Sequence, residues 1–107
     1  MTATTVDMNT RPDGTLVIHP SGVLDAAETI ELRRALVQTI RHDRPLRLVL
    51  DLVDVGELDP INLGTLAAAC HLGDDHHVVV FIDRCSQDLA DRLIAAGVPR
   101  HRLRHLV

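Results

Sequence analysis

The densest group of side chains that could do chemistry contains three histidines and two aspartates: His71, Asp74, Asp75, His76 and His77. Imidazole and carboxylate groups are ligands that Zn²⁺ and Ni²⁺ accept in proteins. However, their spacing matches no specific metal site, and the segment falls between a predicted helix and a predicted strand, where turns are polar and solvated by default. We therefore expect a solvated turn here, with no bound metal or other cofactor.

The two cysteines are the next candidates, as nucleophiles or redox groups. Cys70 falls on the apolar face of a predicted helix, where a cysteine behaves as a small core residue. Cys85 precedes a predicted helix start, which can lower a thiol pKa, but no histidine pairs with it in a motif. The N-terminal segment lacks the basic region and apolar run of a signal peptide. We therefore expect a cytoplasmic protein with two free thiols.

Asp51 ends a predicted central strand, as the phosphoacceptor aspartate of a response-regulator receiver domain does. That chemistry also needs a lysine, whereas all eleven basic residues of this chain are arginines. Asp51 is therefore interpreted as a polar strand end. The sequence also contains no G-x-S-x-G motif, no P-loop and no G-x-G-x-x-G loop. We expect that the protein is not an enzyme.

Two aspartates occupy the starts of predicted helices. Asp59 precedes Pro60, and this pair is typical of an N-cap followed by proline at the first helical position. The segment has two interpretations that both remain open: a well-capped helix start, or a tip that docks on a partner with Ile61 as its apolar anchor and Asn62 beside it. Asp25 starts the preceding helix and has the same two interpretations.

Length and composition limit the classes of function. The chain has 107 residues, which fits a single domain spanning 1–107. Apolar residues make up 46% and charged residues 24%, as in globular proteins. The net charge of −4 argues against nucleic acid as the main partner, because phosphate binding favours a basic surface. No apolar run approaches the ~18–20 residues of a membrane span, so we expect no membrane insertion.

The elements that must position these residues alternate along the chain. Apolar runs bounded by turn residues predict strands, and apolar positions three or four residues apart predict helices. Strands that alternate with helices predict an α/β fold with a largely parallel central sheet. In the first predicted helix the apolar spacing places Ile30 on the core face and Arg33 and Arg41 mostly off it, and in the third it places Ala96 inward. The predicted elements are an edge strand or loose N-terminus (1–10), a strand (15–19) ended by Pro20, a helix (25–41), a strand (46–52), a loop (53–58), a helix (59–73) ended by Gly73, a strand (78–82), a helix (87–96) capped by Ser86 and ended by Gly97, and a strand (103–107).

Five segments, taken in order, resemble the STAS domain, the family of the anti-sigma-factor antagonists. No single segment is specific, but their order and spacing together are. The resemblance runs from about residue 15 to residue 107, and its fold agrees with the predicted order of elements. The segments are residues 22–25 (GVLD), 31–36 (ELRRAL), 48–52 (LVLDL), 58–64 (LDPINLG) and 95–98 (AAGV).

The resemblance implies a protein-binding regulatory module whose partner is an anti-sigma factor or a related kinase-like protein. In the family, the start of the second helix carries a serine or threonine that the partner kinase phosphorylates. Here Ile61 takes that position and has no hydroxyl, so we expect no phosphorylation switch there. The partner-binding residues implied by the resemblance are Asp25, Asp59, Pro60, Ile61, Asn62 and Leu63.

A second departure from the family lies at the end of the sequence. STAS domains usually finish with a helix after the last strand, and this chain stops at Val107. An apolar flank left uncovered would favour a homodimer or a permanent partner. The resemblance therefore also allows an alternative function, as an accessory subunit of a lipid-transport ABC system or of a stress-sensing assembly.

Overall fold

The computed structural model describes residues 5–24 and 26–107. These residues form six strands and three α-helices in the order β-β-α-β-β-α-β-α-β. The strands are β1 (Thr5–Thr10), β2 (Thr15–Leu24), β3 (Arg47–Asp51), β4 (Val55–Leu58), β5 (Val79–Asp83) and β6 (Leu103–Arg104). The helices are α1 (Ala26–Gln38), which continues into a π-helical turn (Thr39–Asp43), α2 (Pro60–Asp75) and α3 (Gln87–Ala96).

The strands form a mixed, largely parallel sheet, which confirms the predicted fold class. Their order is β1-β2-β3-β5-β6, and β4 pairs with the C-terminal end of β2. Within the described residues, β1 and β2 are antiparallel and the remaining pairs are parallel. The carboxyl ends of β3, β4 and β5 therefore lie at the same end of the sheet, and the turns into α2 and α3 begin there.

One face of the sheet packs against the helices and forms the core. Alternate residues of β2, β3 and β5 point to this face and are fully buried, because helices connecting parallel strands cover it. The helices contribute aliphatic side chains at helical spacing. The central members are Ile18, Leu48, Leu50, Val80 and Ile82 from the strands, Leu32 and Leu36 from α1, Leu66 and Cys70 from α2, and Leu93 from α3.

The opposite face of the sheet carries a row of three apolar residues paired across β2, β3 and β5: Val17, Val49 and Phe81. Val17 and Val49 are buried but do not belong to the helix-covered core cluster. Arg104 lies over the Phe81 ring, and Arg84 pairs with the carboxylate at the end of β3. This face therefore presents a narrow apolar strip beside ion-paired arginines rather than a broad apolar surface.

Two predictions about strands are wrong. Pro20 does not end the second strand, because β2 continues to Leu24. Residues 19–21 pair with β1 but not with β3 or β4, so the missing amide hydrogen of Pro20 interrupts no bond to those strands. Residues 55–58, predicted as loop, form β4. This strand is short and contains Gly56, so its pairing with the end of β2, and not its own pattern, makes it a strand.

Helix limits and strand limits also differ in places from the predictions. Gly73 does not end α2, which continues to Asp75; a Cβ at Gly73 would lie 2.5 Å from the carbonyl oxygen of Val78, so glycine is needed there for close packing. Ile30 and Ala96 were predicted to face the core, but both are exposed. The last strand ends at Arg104, before the left-handed His105. The predicted limits of α3, with Ser86 as N-cap and Gly97 as stop, are confirmed.

Candidate functional site

The start of α2 is a rigidly capped helix N-terminus. The Asp59 backbone is extended, and its Oδ1 accepts a 3.0 Å hydrogen bond from the amide of Ile61. Pro60 occupies the first turn, where it has no amide hydrogen that would need a partner. The amide of Asn62 donates to the Asp59 carbonyl oxygen at 2.8 Å. The cap predicted from the sequence is therefore formed, and it fixes the backbone from which Ile61 projects.

This helix start is tied to the end of β2 through one carbonyl oxygen. The oxygen of Leu24 accepts a 2.9 Å hydrogen bond from the backbone amide of Asp59. It also accepts a 2.9 Å hydrogen bond from the side-chain Nδ2 of Asn62. Leu24 is the last residue of β2, and α1 begins at Ala26, so the start of α2 is tied to the strand end that leads towards α1.

The predicted partner-binding residues divide into exposed and buried groups. Ile61 leaves 56% of its surface exposed, although it is a large apolar residue at a helix start. Asn62 is fully buried, so its side chain holds the loop and is not available to a partner. Leu63 is half-buried and packs against the core cluster. Asp25 lies outside the described residues, so its predicted role at the start of the first helix stays a prediction.

A cleft of about 660 Å³ opens beside the α2 start, at the carboxyl ends of β3, β4 and β5. Arg84 lines this cleft, and its guanidinium binds both carboxylate oxygens of the buried Asp51 at the end of β3. Burial alone would raise the pKa of the Asp51 carboxyl, but the hydrogen bonds from Arg84 and from the Val53 amide lower it overall. The cleft also receives Ser86 and Arg92 from the segment that starts α3.

The pairing of Asp51 with Arg84 was missed by sequence analysis. The signal was available, because both residues follow parallel strands, and the carboxyl ends of parallel strands meet at one edge of a sheet. Arg84 directly follows β5 and has a left-handed backbone with φ of 59°. This turn directs the Arg84 side chain back towards Asp51. No local sequence pattern predicts such a turn.

A second depression lies between α1 and α2, and we call it the α1–α2 groove. Its volume is about 620 Å³. On the α2 side its floor consists mainly of small residues, with Ile61 at one end and Leu72 at the other. On the α1 side it is bordered by Arg33 and Arg41, two residues that sequence analysis placed away from the core. Its lining residues are Arg33, Leu36, Val37 and Arg41 from α1 and its continuation, and Ile61, Gly64, Thr65, Ala68, Ala69, His71, Leu72 and Asp75 from α2.

Comparison with protein families gives one match, the model described as STAS domain, over residues 7–102. The chain belongs to the STAS domain family. The match covers β2 to β5, most of β1, the three described helices and the α1–α2 groove. It confirms the family that the five short segments indicated. A search of curated proteins finds no match.

Solved structures show the same STAS fold. The phosphorylated form of SpoIIAA, a Bacillus cell fate determinant, superposes with a TM-score of 0.78 at 12% identity and covers 96% of this chain and 92% of its own. An anti-sigma factor antagonist from Mycobacterium paratuberculosis is 26% identical, with a TM-score of 0.69 and coverage of 87% and 79%. A variant of RsbS from Moorella thermoacetica is 14% identical, with a TM-score of 0.72 and coverage of 95% and 85%.

A STAS fold also occurs inside a larger neighbour, the murine Solute Carrier 26 family member A9 anion transporter. It is 16% identical to this chain with a TM-score of 0.72, and the match covers 89% of this chain but 17% of the transporter. At this identity the likeness shows the fold alone. Among the described residues of this STAS chain, no helix combines the length and apolar composition that crossing a bilayer requires.

The cysteines and the histidine-rich segment, the remaining candidates from the sequence, have structural surroundings in this chain. Cys70 is buried in the core, and burial raises the pKa of its thiol to about 11. Burial likewise raises the pKa of the Cys85 thiol. In the histidine-rich segment, Asp74 pairs with Arg102 at 2.7 Å, and the Nδ1 of His76 lies 3.0 Å from the Leu72 carbonyl oxygen. Over residues 5–24 and 26–107, no three ligand-type side chains are grouped to hold a metal ion.

Proposed function

We propose that this STAS chain is a regulatory binding module of the anti-sigma-factor-antagonist type, which acts by protein contact and not by catalysis. We propose further that it docks on an anti-sigma factor or a related kinase-like protein through the start of α2. The proposal rests on one observation. Ile61, a large apolar side chain, is more than half exposed on a backbone that Asp59 and Asn62 hold in place.

The exposed isoleucine favours docking because its position is fixed before a partner arrives. An apolar side chain on a mobile loop loses conformational entropy when it binds, whereas one on a capped helix start has already lost most of it. Apolar residues of this size that enter a partner pocket commonly contribute ~1–2 kcal/mol to binding. Pro60, which is exposed beside it, adds to the rigid apolar surface.

Ile61 also supports binding to a partner that is not controlled by phosphorylation at residue 61. An isoleucine side chain has no oxygen that can accept a phosphoryl group. The nearest hydroxyl belongs to Thr65, one turn into α2, and it donates a 3.2 Å hydrogen bond to the Ile61 carbonyl oxygen. This bond engages the Thr65 hydroxyl inside α2, one turn beyond the position at which the family is phosphorylated. Two of the solved SpoIIAA structures, by contrast, are described as phosphorylated and unphosphorylated forms.

A kinase assay tests the unswitched interaction. The wild-type protein and the Ile61→Ser variant are incubated with ATP and with each anti-sigma kinase encoded in the same genome, and phosphate is located by mass spectrometry. We expect phosphate on the variant at residue 61 with the cognate kinase, and none on wild type at residues 59–65. Phosphate on wild-type Thr65 would refute the proposal that this helix start is not switched.

A binding assay tests the partner class. Isothermal titration of the same kinases with wild type, with Ile61→Asp and with the matched control Val79→Asp would measure the contribution of the α2 start. Val79 is also an exposed apolar residue, but it lies at the start of β5, near the C-terminal end of α2 and not near its start. We expect Ile61→Asp to weaken binding at least tenfold. Co-purification with an ABC ATPase or a stress-sensing assembly, and no binding to any anti-sigma kinase, would favour the alternative function.

The predicted homodimer is part of the same proposal and has its own measurement. Light scattering on wild type alone would give its mass in solution. A dimer that dissociates in Val79→Asp would place the contact on the sheet, whereas a monomer would rule the homodimer out.

A further inference from the structure

We infer that the α1–α2 groove receives an acidic amphipathic helix of the partner protein. This inference rests on the proposed function, because it assigns a second contact surface to the same partner. Its basis is the shape of the groove together with the position of two arginines, neither of which depends on the hydroxyl missing at residue 61.

The groove has the dimensions of a helix of about three turns. Ile61, Gly64, Ala68 and Leu72 follow one another along α2 at spacings of three or four residues, so they lie along one side of the helix. The distance from Ile61 to Leu72 is eleven residues, or roughly 16 Å at the helical rise. The small side chains between them let the backbone of another helix approach closely, and the two larger ones close the groove at its ends.

The α1 border of the groove carries positive charge that the described residues do not neutralise. Arg33 and Arg41 are exposed, and among residues 5–24 and 26–107 no carboxylate forms an ion pair with either one. They are eight residues apart, or roughly 12 Å along a helix. Five other arginines of this chain form ion pairs, namely Arg34, Arg47, Arg84, Arg102 and Arg104. The remaining four form none with a described residue, but none of those four lines the groove.

This combination favours an acidic helix over other occupants. Arg33 and Arg41 differ from other exposed arginines in that they border a floor of mostly small residues, so positive charge and a docking depression lie together. A nucleic acid would require a continuous row of cations, whereas the groove has two arginines and also Asp75 among its lining residues. A helix with apolar residues on one face and carboxylates two turns apart would fill the floor and meet both arginines.

The probe is a fluorescein-labelled peptide of sixteen residues with leucines at positions 3, 7, 10 and 14 and glutamates at positions 4 and 11. A second peptide replaces both glutamates with lysines. Fluorescence anisotropy is measured with wild type, with the double variant Arg33→Glu and Arg41→Glu, and with Ala68→Gln, which fills the floor. The matched control is Arg34→Glu with Arg100→Glu, which reverses two exposed charges away from the groove.

We expect the glutamate peptide to bind wild type and the control alike, and to bind the double variant and Ala68→Gln roughly tenfold more weakly. The lysine peptide is expected to prefer the double variant. No binding of the glutamate peptide at millimolar protein, or equal binding of both peptides to wild type, would overturn the inference. Affinity that the control variant reduces as much as the double variant would do so as well.

Binding of the variants to the anti-sigma kinases distinguishes a failure of this inference from a failure of the proposed function. If a kinase binds and Ile61→Asp weakens it while the double variant does not, the proposed function stands and the groove assignment fails. If the glutamate peptide binds in the groove while no anti-sigma kinase binds, the partner class is wrong and the groove assignment stands.

Discussion

The side-chain amide of Asn62 donates a 2.9 Å hydrogen bond to the carbonyl oxygen of Leu24, and so fastens the start of α2 to the end of β2. The Oδ1 of Asn62 is also buried and has no hydrogen-bond partner among the described residues. Burial of this unpaired oxygen carries a desolvation cost.

Removing this bond should loosen the proposed docking surface. We expect Asn62→Ala to lower the free energy of unfolding by about 1 kcal/mol, because one hydrogen bond is lost. The loss stays this small because the substitution also removes the buried oxygen that has no partner. Asn62→Asp should cost more at neutral pH, since it places a buried carboxylate against the Leu24 oxygen. Urea unfolding at pH 7 measures both. An Asn62→Asp variant as stable as wild type would contradict the geometry described here.

The ion pair of Asp51 with Arg84 predicts how stability depends on pH. The pKa of the folded Asp51 carboxyl lies below its ordinary value of about 3.9. The unfolded state therefore binds the proton first as pH falls. The stabilisation is fully present above pH ~4 and disappears as pH drops through the lowered folded pKa.

We expect Arg84→Gln to reduce stability at pH 7 and to flatten this part of the pH dependence. The matched control is Arg92→Gln, since Arg92 lines the same cleft but forms no ion pair with a described residue. Urea unfolding of the three proteins between pH 2 and pH 7 provides the measurement. If the free energy of unfolding fell equally steeply with pH in wild type and in Arg84→Gln, the lowered pKa of Asp51 would not depend on Arg84.

Two glycines of α2 should respond to alanine with opposite signs. A Cβ at Gly73 would lie 2.5 Å from the Val78 carbonyl oxygen and 2.6 Å from the Cγ2 of Val80, so we expect Gly73→Ala to cost about 1–3 kcal/mol. A Cβ at Gly64 would meet nothing within 4 Å. Gly64→Ala should therefore gain up to ~1 kcal/mol from helix propensity. Thermal unfolding of both variants measures the two effects. A Gly73→Ala variant more stable than wild type would show that α2 and β5 are less closely packed than described here.

These residues illustrate how much could be predicted from the sequence. The apolar runs and helix caps predicted the α/β order and the limits of α3 because they are local signals, and Asp59 with Pro60 correctly marked the start of α2. β4 was missed because a short strand with an internal glycine exists through its pairing with β2. Gly73 was misjudged because its role depends on close contact with Val78 and Val80, which come after the turn that follows α2, and a helix pattern cannot reveal that contact.

The candidate site divides in the same way. The position of Ile61 at the helix start followed from the sequence, but the burial of Asn62 beside it did not, since nothing local distinguishes a buried asparagine from an exposed one. The α1–α2 groove was missed for a related reason. Arg33 and Arg41 were placed away from the core, and only the packing of α1 on α2 makes them one border of a groove.

Arg104, which covers Phe81 on the sheet face opposite the helices, allows a prediction about stability. The guanidinium carbon of Arg104 lies 3.9 Å from the centre of the Phe81 ring, while its Nε and terminal nitrogen bind Asp83 at 2.9 and 3.0 Å. Asp83 is buried, so Arg104→Ala would leave a carboxylate without its partner and uncover the ring. We expect a loss of about 1–2 kcal/mol in the free energy of unfolding.

Two further variants separate the stacking from the charge. Arg104→Lys keeps the charge but loses the planar fork that binds Asp83 and stacks on Phe81, so it should recover less than half of the loss. Arg100→Ala removes an exposed arginine nearby and should change stability by less than ~0.5 kcal/mol. If Arg104→Lys restored wild-type stability in urea unfolding, the charge alone would suffice, and the contact with the aromatic ring would not be what stabilises this face of the sheet.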